Sequence, residues 1–116
     1  MEGLAKFKER HPHEKFKLLV FGKSNCKKYI SLAAKINIRD DVIYTGTMPH
    51  DKVARLYLAS DIFSMPSRFD TFGLTVLEAM AASLPVIISQ NVGGQKTSSN
   101  EGSMALLLKM LDMQMR

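Results

Sequence analysis

Cysteine is almost absent: Cys26 is the only one in 116 residues. An internal disulfide and a cysteine-based zinc site are therefore excluded. No apolar run approaches the ~18–20 residues that a membrane-spanning helix needs. Glycine and proline are sparse, at 7 and 4, too few for a low-complexity chain. The first residues, Met1-Glu2-Gly3-Leu4-Ala5-Lys6, have no apolar core followed by a small-residue cleavage site, and so do not read as a secretory signal. Internal repeats are lacking. Aromatic residues are not interleaved with basic ones, as a single-strand nucleic-acid binder requires, so no nucleic-acid partner is expected. What remains is 46% hydrophobic and 23% charged, the composition of one globular domain able to bury a core.

Positive charge is concentrated early. The net charge is +5; residues 1–35 carry nine Lys/Arg and three acids, whereas residues 36–116 carry seven and eight. The first third is a candidate face for an anionic partner, such as an anionic membrane surface, or simply a solvated lysine surface on two helices.

The hydrophobic pattern alternates helices with short apolar strands. Residues 2–10 read as a helix closed by His11-Pro12. The run 17–21 reads as a buried strand ending at Gly22, and 26–36 as a helix with Tyr29, Ile30, Ala33 and Ile36 inward. A second strand is expected over 42–45. Pro49 suits a first helical turn, and Val53, Leu56 and Tyr57 form that helix's apolar stripe. A third strand over 62–65, a helix from Gly73 to Ala82 and a fourth strand over 86–89 follow. Residues 95–103 read as a polar loop and 104–115 as a short helix, with its methionines as soft core filler. The order predicts an α/β, Rossmann-like parallel sheet with helices on both faces.

In such a sheet, ligands bind beyond the carboxyl ends of the strands. Among the loops there, Pro66–Gly73 is the most informative, because it opens a helix with a glycine. The amides of Gly73, Leu74 and Thr75 would point at an anion. Glu78 and Asp70 lie where they could accept hydrogen bonds from a neighbouring diol. The alternative is that Asp70 caps the helix and Glu78 is solvated. His11 and His13 fall in a basic turn, and His50 reads as a solvated helix-start residue.

Several segments then fall into a known order. They are 41–46, 56–63, the dense stretch Met65-Pro66-Ser67-Arg68-Phe69-Asp70-Thr71-Phe72-Gly73-Leu74-Thr75-Val76-Leu77-Glu78-Ala79-Met80-Ala81-Ala82, then Leu84-Pro85-Val86-Ile87 and Val92-Gly93-Gly94. Together they resemble the C-terminal, donor-binding domain of retaining GT-B glycosyltransferases, the group 1 or family 4 glycosyl transferases. Phe21-Gly22-Lys23 with Lys28-Tyr29 and Leu32-Ala33 is closest to the lipopolysaccharide-core branch. The resemblance implies transfer of a sugar from a nucleotide diphosphate, most simply a UDP-sugar, to a hydroxyl acceptor in surface polysaccharide or lipopolysaccharide synthesis. It implies no metal or other cofactor, and a cytoplasmic location, peripheral at the inner face of the membrane.

The family's long motif carries two glutamates separated by seven residues, and Asp70 and Glu78 have that spacing here. The resemblance gives Asp70 the contact to the donor sugar near its reacting carbon, as the catalytic residue. It gives Glu78 the donor ribose, and the amides of Gly73, Leu74 and Thr75 the diphosphate. Gly22 and Thr47 become candidates for the base. Asp70 is one methylene shorter than the family's glutamate, and Ser83 stands where the family has glycine. Residues 1–94 are then a partial donor-binding domain and 95–116 a divergent tail. A non-catalytic nucleotide-binding fragment, or another GT-B enzyme such as a sugar-nucleotide epimerase, are the competing readings.

The family domain begins with a strand and a loop bearing an Arg and a Lys, preceded by an acceptor domain. This chain begins at the helix after that strand, so the GT-B domain is expected to lack its first strand, and the isolated chain to be inactive. In the family's sheet the first strand lies between those corresponding to 17–21 and 62–65. Its inner edges could be met by direct pairing, by another segment, or by association with a second chain. Direct pairing is expected, with order 42–45, 17–21, 62–65, 86–89, all parallel.

Overall fold

The computed structural model describes residues 1–23, 25–68 and 73–89, together with the backbone of Ala105–Met110. The alternation starts with α1 (Glu2–Arg10), β1 (Phe16–Phe21) and α2 (Cys26–Lys35). A single 3-10 turn, Arg39–Asp41, leads into β2 (Val42–Gly46). Then come α3 (His50–Leu58), β3 (Ile62–Met65), α4 (Leu74–Ala81), β4 (Val86–Ile88) and β5 (Ala105–Met110). The four helices and the first four strands match the sequence expectation to within a residue or two. Pro49 sits just before α3, where its carbonyl accepts the Lys52 and Val53 amides at 3.1 Å each.

The sheet order is β2-β1-β5-β3-β4. β1 pairs parallel with β2, and β3 parallel with β4. β5 runs antiparallel to both β1 and β3. Strands β1 to β4 therefore all point the same way, with one reversed strand in their midst.

Two expectations are corrected here. The helix expected over 104–115 is not formed; Ala105–Met110 is strand. Direct pairing of 17–21 with 62–65 does not occur either, and the sheet is not all parallel. Instead β5 stands between them, registering Leu19 and Phe63 on either side of Leu107. A run such as Ala-Leu-Leu-Leu-Lys-Met reads equally as buried helix or buried strand by periodicity, and leucine favours the helix. Two facing rows of unpaired amides and carbonyls decide otherwise. Each unmade buried hydrogen bond costs about 1–3 kcal/mol, more than the propensity of any single leucine.

Helices cover both faces. On one, Phe16, Leu18, Val20, Ala33, Ile38 and Val42 form a buried cluster, joined by Leu4, Ala5 and Phe7 of α1. On the other, Phe21, Val53, Tyr57, Phe63, Met65, Val76 and Ala79 pack together. β1 serves both clusters because successive side chains alternate faces. Two lysines of the basic segment tie down the 3-10 turn. Lys8 Nζ lies 2.6 Å from Asp41 Oδ2, and Lys17 Nζ donates to the Asp40 carbonyl at 2.7 Å.

Two helices end alike. After α2, Ile38 N–H bonds Ala33 O and Asn37 N–H bonds Ala34 O, with Asn37 left-handed at φ 57°. After α4, Leu84 N–H bonds Ala79 O and Ser83 N–H bonds Met80 O, with Ser83 at φ 60°. This is the Schellman closure, which favours glycine or asparagine at the left-handed position. Ser83, flagged by the sequence as departing from glycine, adopts that conformation with a Cβ.

Two expected outcomes test this fold. Ser83→Gly relieves the left-handed strain and raises unfolding stability by about 0.5–1 kcal/mol in urea titration. Leu107→Pro removes an amide from an interior strand and costs about 3 kcal/mol. An unchanged urea midpoint for Leu107→Pro would show that β5 is not built into the sheet.

Candidate functional site

The carboxyl ends of β1 to β4 lie along one edge, as their common direction requires. β1 and β2 leave it through glycines: Gly22 has φ 113° and Gly46 has φ 67°, and the Gly22 amide donates to the Gly46 carbonyl at 3.0 Å. That amide is thus committed within the fold, and Gly22 could serve a ligand only by close approach. Thr47 follows Gly46 and is exposed. β3 and β4 are tied at the same edge, where the Ser89 hydroxyl donates to the Ser67 carbonyl.

α4 starts here. Gly73 is buried and left-handed, at φ 60° and ψ 31°, immediately before the helix. Its carbonyl accepts the Val76 and Leu77 amides at 2.9 and 3.1 Å. A side chain at this position would cost about 1–2 kcal/mol. No side chain caps the helix start among the described residues, so the Leu74 and Thr75 amides belong to the first turn that intrahelical bonding leaves unmet. The Thr75 hydroxyl turns inward, to the Met65 sulfur at 3.3 Å. Asp70 lies outside the described residues.

Glu78 sits one turn further along α4 and is about a third exposed, at 34%. Its carboxylate meets two residues of α3. The Tyr57 hydroxyl donates to Oε2 at 3.1 Å, and His50 Nε2 lies 3.6 Å from Oε1. The His50 side chain is largely in solvent. Tyr57, by contrast, is 3% exposed. Its ring is held edge-on between Phe21 and Phe63, with centroids 6.1 and 5.8 Å away. Thr75 O, at 3.4 Å, is a second acceptor for its hydroxyl. A groove of about 300 Å³ runs between α3 and α4, lined by His50, Ala54, Tyr57, Leu58, Glu78 and Ala81.

The family model described as "Glycosyl transferases group 1" matches residues 2–114. The chain belongs to this family. It is 34% identical over 95 residues to the uncharacterized glycosyltransferase MJ1607 of Methanocaldococcus jannaschii, covering 81% of this chain and 23% of that one. It is 31% identical to the D-inositol 3-phosphate glycosyltransferase of Acidothermus cellulolyticus, covering 93% of this chain and 26% of that one. Among solved structures it is similar to WaaG, a glycosyltransferase involved in lipopolysaccharide biosynthesis, at 29% identity and a TM-score of 0.61. That match covers 65% of this chain and 20% of WaaG. The chain spans about a quarter of the length of the curated relatives it matches.

Within this group 1 glycosyl transferase chain, the sequence expectation puts Gly73, Leu74 and Thr75 at a helix start and Glu78 over its second turn, and α4 has them there. That expectation did not include the partners of Glu78. Tyr57 read only as a member of an apolar stripe, and His50 as a solvated helix-start residue. His50 is indeed exposed, yet it faces Glu78. One signal was available: a buried tyrosine, unlike phenylalanine, has a hydroxyl that must find a partner.

The electrostatics follow from burial. Desolvation, and then the charge and hydrogen bond of Glu78, push the Tyr57 hydroxyl well above its ordinary value of 10.0. Tyr44 is raised chiefly by burial, its hydroxyl enclosed without a partner among the described residues, while Arg39 pulls it the other way. Both phenols hold their protons to higher pH in the folded chain than in the unfolded one. The stability this contributes is complete below about pH 10 and is lost as pH rises beyond it. Tyr57→Phe removes one of these groups. The urea midpoint measured from about pH 9 to 11 is expected to fall less steeply in the variant than in the parent chain.

Proposed function

We propose that this chain is the donor-binding part of a retaining glycosyltransferase, which moves a sugar from a nucleotide diphosphate to a hydroxyl acceptor. The observation that carries the reading is the Glu78 carboxylate beside the α4 helix start. A first-turn amide pair suits a diphosphate, and an acceptor-only carboxylate one turn away suits a ribose diol. The resemblance of the 65–82 stretch to the family's long motif supports those same two roles for Leu74–Thr75 and Glu78. In this reading Gly73 lets the diphosphate come close to the backbone, and Gly22 and Thr47 border the base. Asp70 would approach the donor sugar. The likeness to WaaG supports a place in surface polysaccharide or lipopolysaccharide synthesis.

The chemistry asked of these residues is modest. The leaving diphosphate is stabilised by oriented amides, and the donor is held in a fixed attitude toward the acceptor. The described residues form one side of such a cleft. An acceptor pocket facing it would have to be supplied opposite that edge, so the chain by itself is expected to bind donor nucleotide without turnover.

Titration calorimetry or NMR with UDP tests this. Weak binding is expected, no tighter than about high micromolar, because charge-assisted bonds to a cationic pair, worth roughly 1.5–3 kcal/mol each, are not provided by the described cleft. Glu78→Ala is expected to abolish it. No UDP-dependent change at millimolar ligand, in a folded sample, would overturn the reading. Glycosyl transfer by the purified chain to a simple sugar acceptor would overturn the binding-only expectation.

A further inference from the structure

We propose that Tyr57 is a positioning residue for the donor nucleotide: its hydroxyl fixes one oxygen of Glu78 so that the other is presented to the ribose. The inference rests on the reading of Glu78 as the donor-nucleotide carboxylate, and adds how this chain aims it.

The geometry gives each oxygen a separate task. Oε2 is engaged by the Tyr57 hydroxyl at 3.1 Å. Oε1 has His50 Nε2 as its neighbour at 3.6 Å, and both residues line the groove between α3 and α4. That distance is beyond a hydrogen bond, and the imidazole is in solvent, so an arriving hydroxyl can displace it. The bond to Tyr57 is of the other kind. The tyrosine is buried and keyed between Phe21 of β1 and Phe63 of β3. Two strands of the sheet therefore set the ring, the ring sets the hydroxyl, and the hydroxyl sets the carboxylate. A glutamate on a helix surface ordinarily samples several rotamers and must surrender them on binding. Here that loss is already taken in the unliganded fold, which is how a site is preorganised. The raised proton affinity of the phenol has the same consequence. Tyr57 therefore remains a donor throughout the ordinary pH range.

The test uses the full chain as wild type, Tyr57→Phe and Glu78→Gln, with two probes, UDP and inorganic pyrophosphate. Pyrophosphate reports the helix start alone, whereas UDP also reports the ribose. Loss of one aligned hydrogen bond predicts about five- to tenfold weaker UDP binding by Tyr57→Phe, with pyrophosphate affinity unchanged. Equal weakening of both probes would mean a general distortion, and would overturn the positioning role. Unchanged UDP affinity in Tyr57→Phe, while Glu78→Gln loses it, would also overturn it. A ligand-free readout separates this from the donor-site reading. The alkaline absorbance titration of Tyr57 should move back toward its ordinary value in Glu78→Gln. If it does not move, the contact is absent and the inference falls whatever UDP does. If it moves but wild type binds no UDP, the contact stands as structure alone, and both the donor-site reading and the positioning role are refuted.

Discussion

The inner edges of β1 and β3 impose the constraint on which the rest of the molecule depends. Every amide and carbonyl along them must be paired, because neither water nor a helix reaches the middle of the sheet. β5 meets that demand on both sides at once. Its insertion fixes the spacing between a half made of α1, α2 and β2 and a half made of α3, α4 and β4. It also makes the sheet mixed while leaving β1 to β4 running in one direction. All four thus bring their carboxyl ends to the same edge, and a cleft can form there.

From that frame the candidate site is built outward in steps. Phe21 and Phe63 come from strands on opposite sides of β5, and both contact the Tyr57 ring. The tyrosine belongs to α3 and its hydroxyl reaches α4. A single side chain therefore connects two strands and two helices and ends at the carboxylate of Glu78. Burying the Tyr57 phenol costs least when its oxygen is satisfied, so the packing of the core and the aim of the candidate site are one arrangement. The left-handed Gly73 completes it by starting α4 with its first amides turned toward the same edge.

Membership of the group 1 glycosyl transferases gives these residues a chemical context. In the proposed reading, oriented amides and an acceptor-only carboxylate form one wall of a nucleotide-diphosphate cleft. Ser83 accepts left-handed strain to keep the Schellman closure after α4. A closure with the same bonds follows α2 through Asn37, a residue better suited to it. These two helix ends are thus specified by backbone geometry first and by residue type second.

Much of this was legible in the residues. The apolar run 17–21, the stripe of Val53, Leu56 and Tyr57, and the Pro-and-Gly punctuation determined the four helices, the first four strands and their alternation, because local periodicity and turn chemistry act over a few residues. The spacing of Gly73 and Glu78 likewise placed both on one helix start. The last segment was different. Ala105–Met110 carries no periodicity that separates helix from strand, and its state was decided by two strand edges some 40 to 90 residues away in sequence. Sheet order was decided with it. The partnership of Tyr57 with Glu78 is of the same kind: it joins residues 21 apart, on helices whose packing no local pattern encodes. Local physics determined the elements and one half of the site, and only the tertiary structure decided what fills the centre of the sheet and what holds the carboxylate in place.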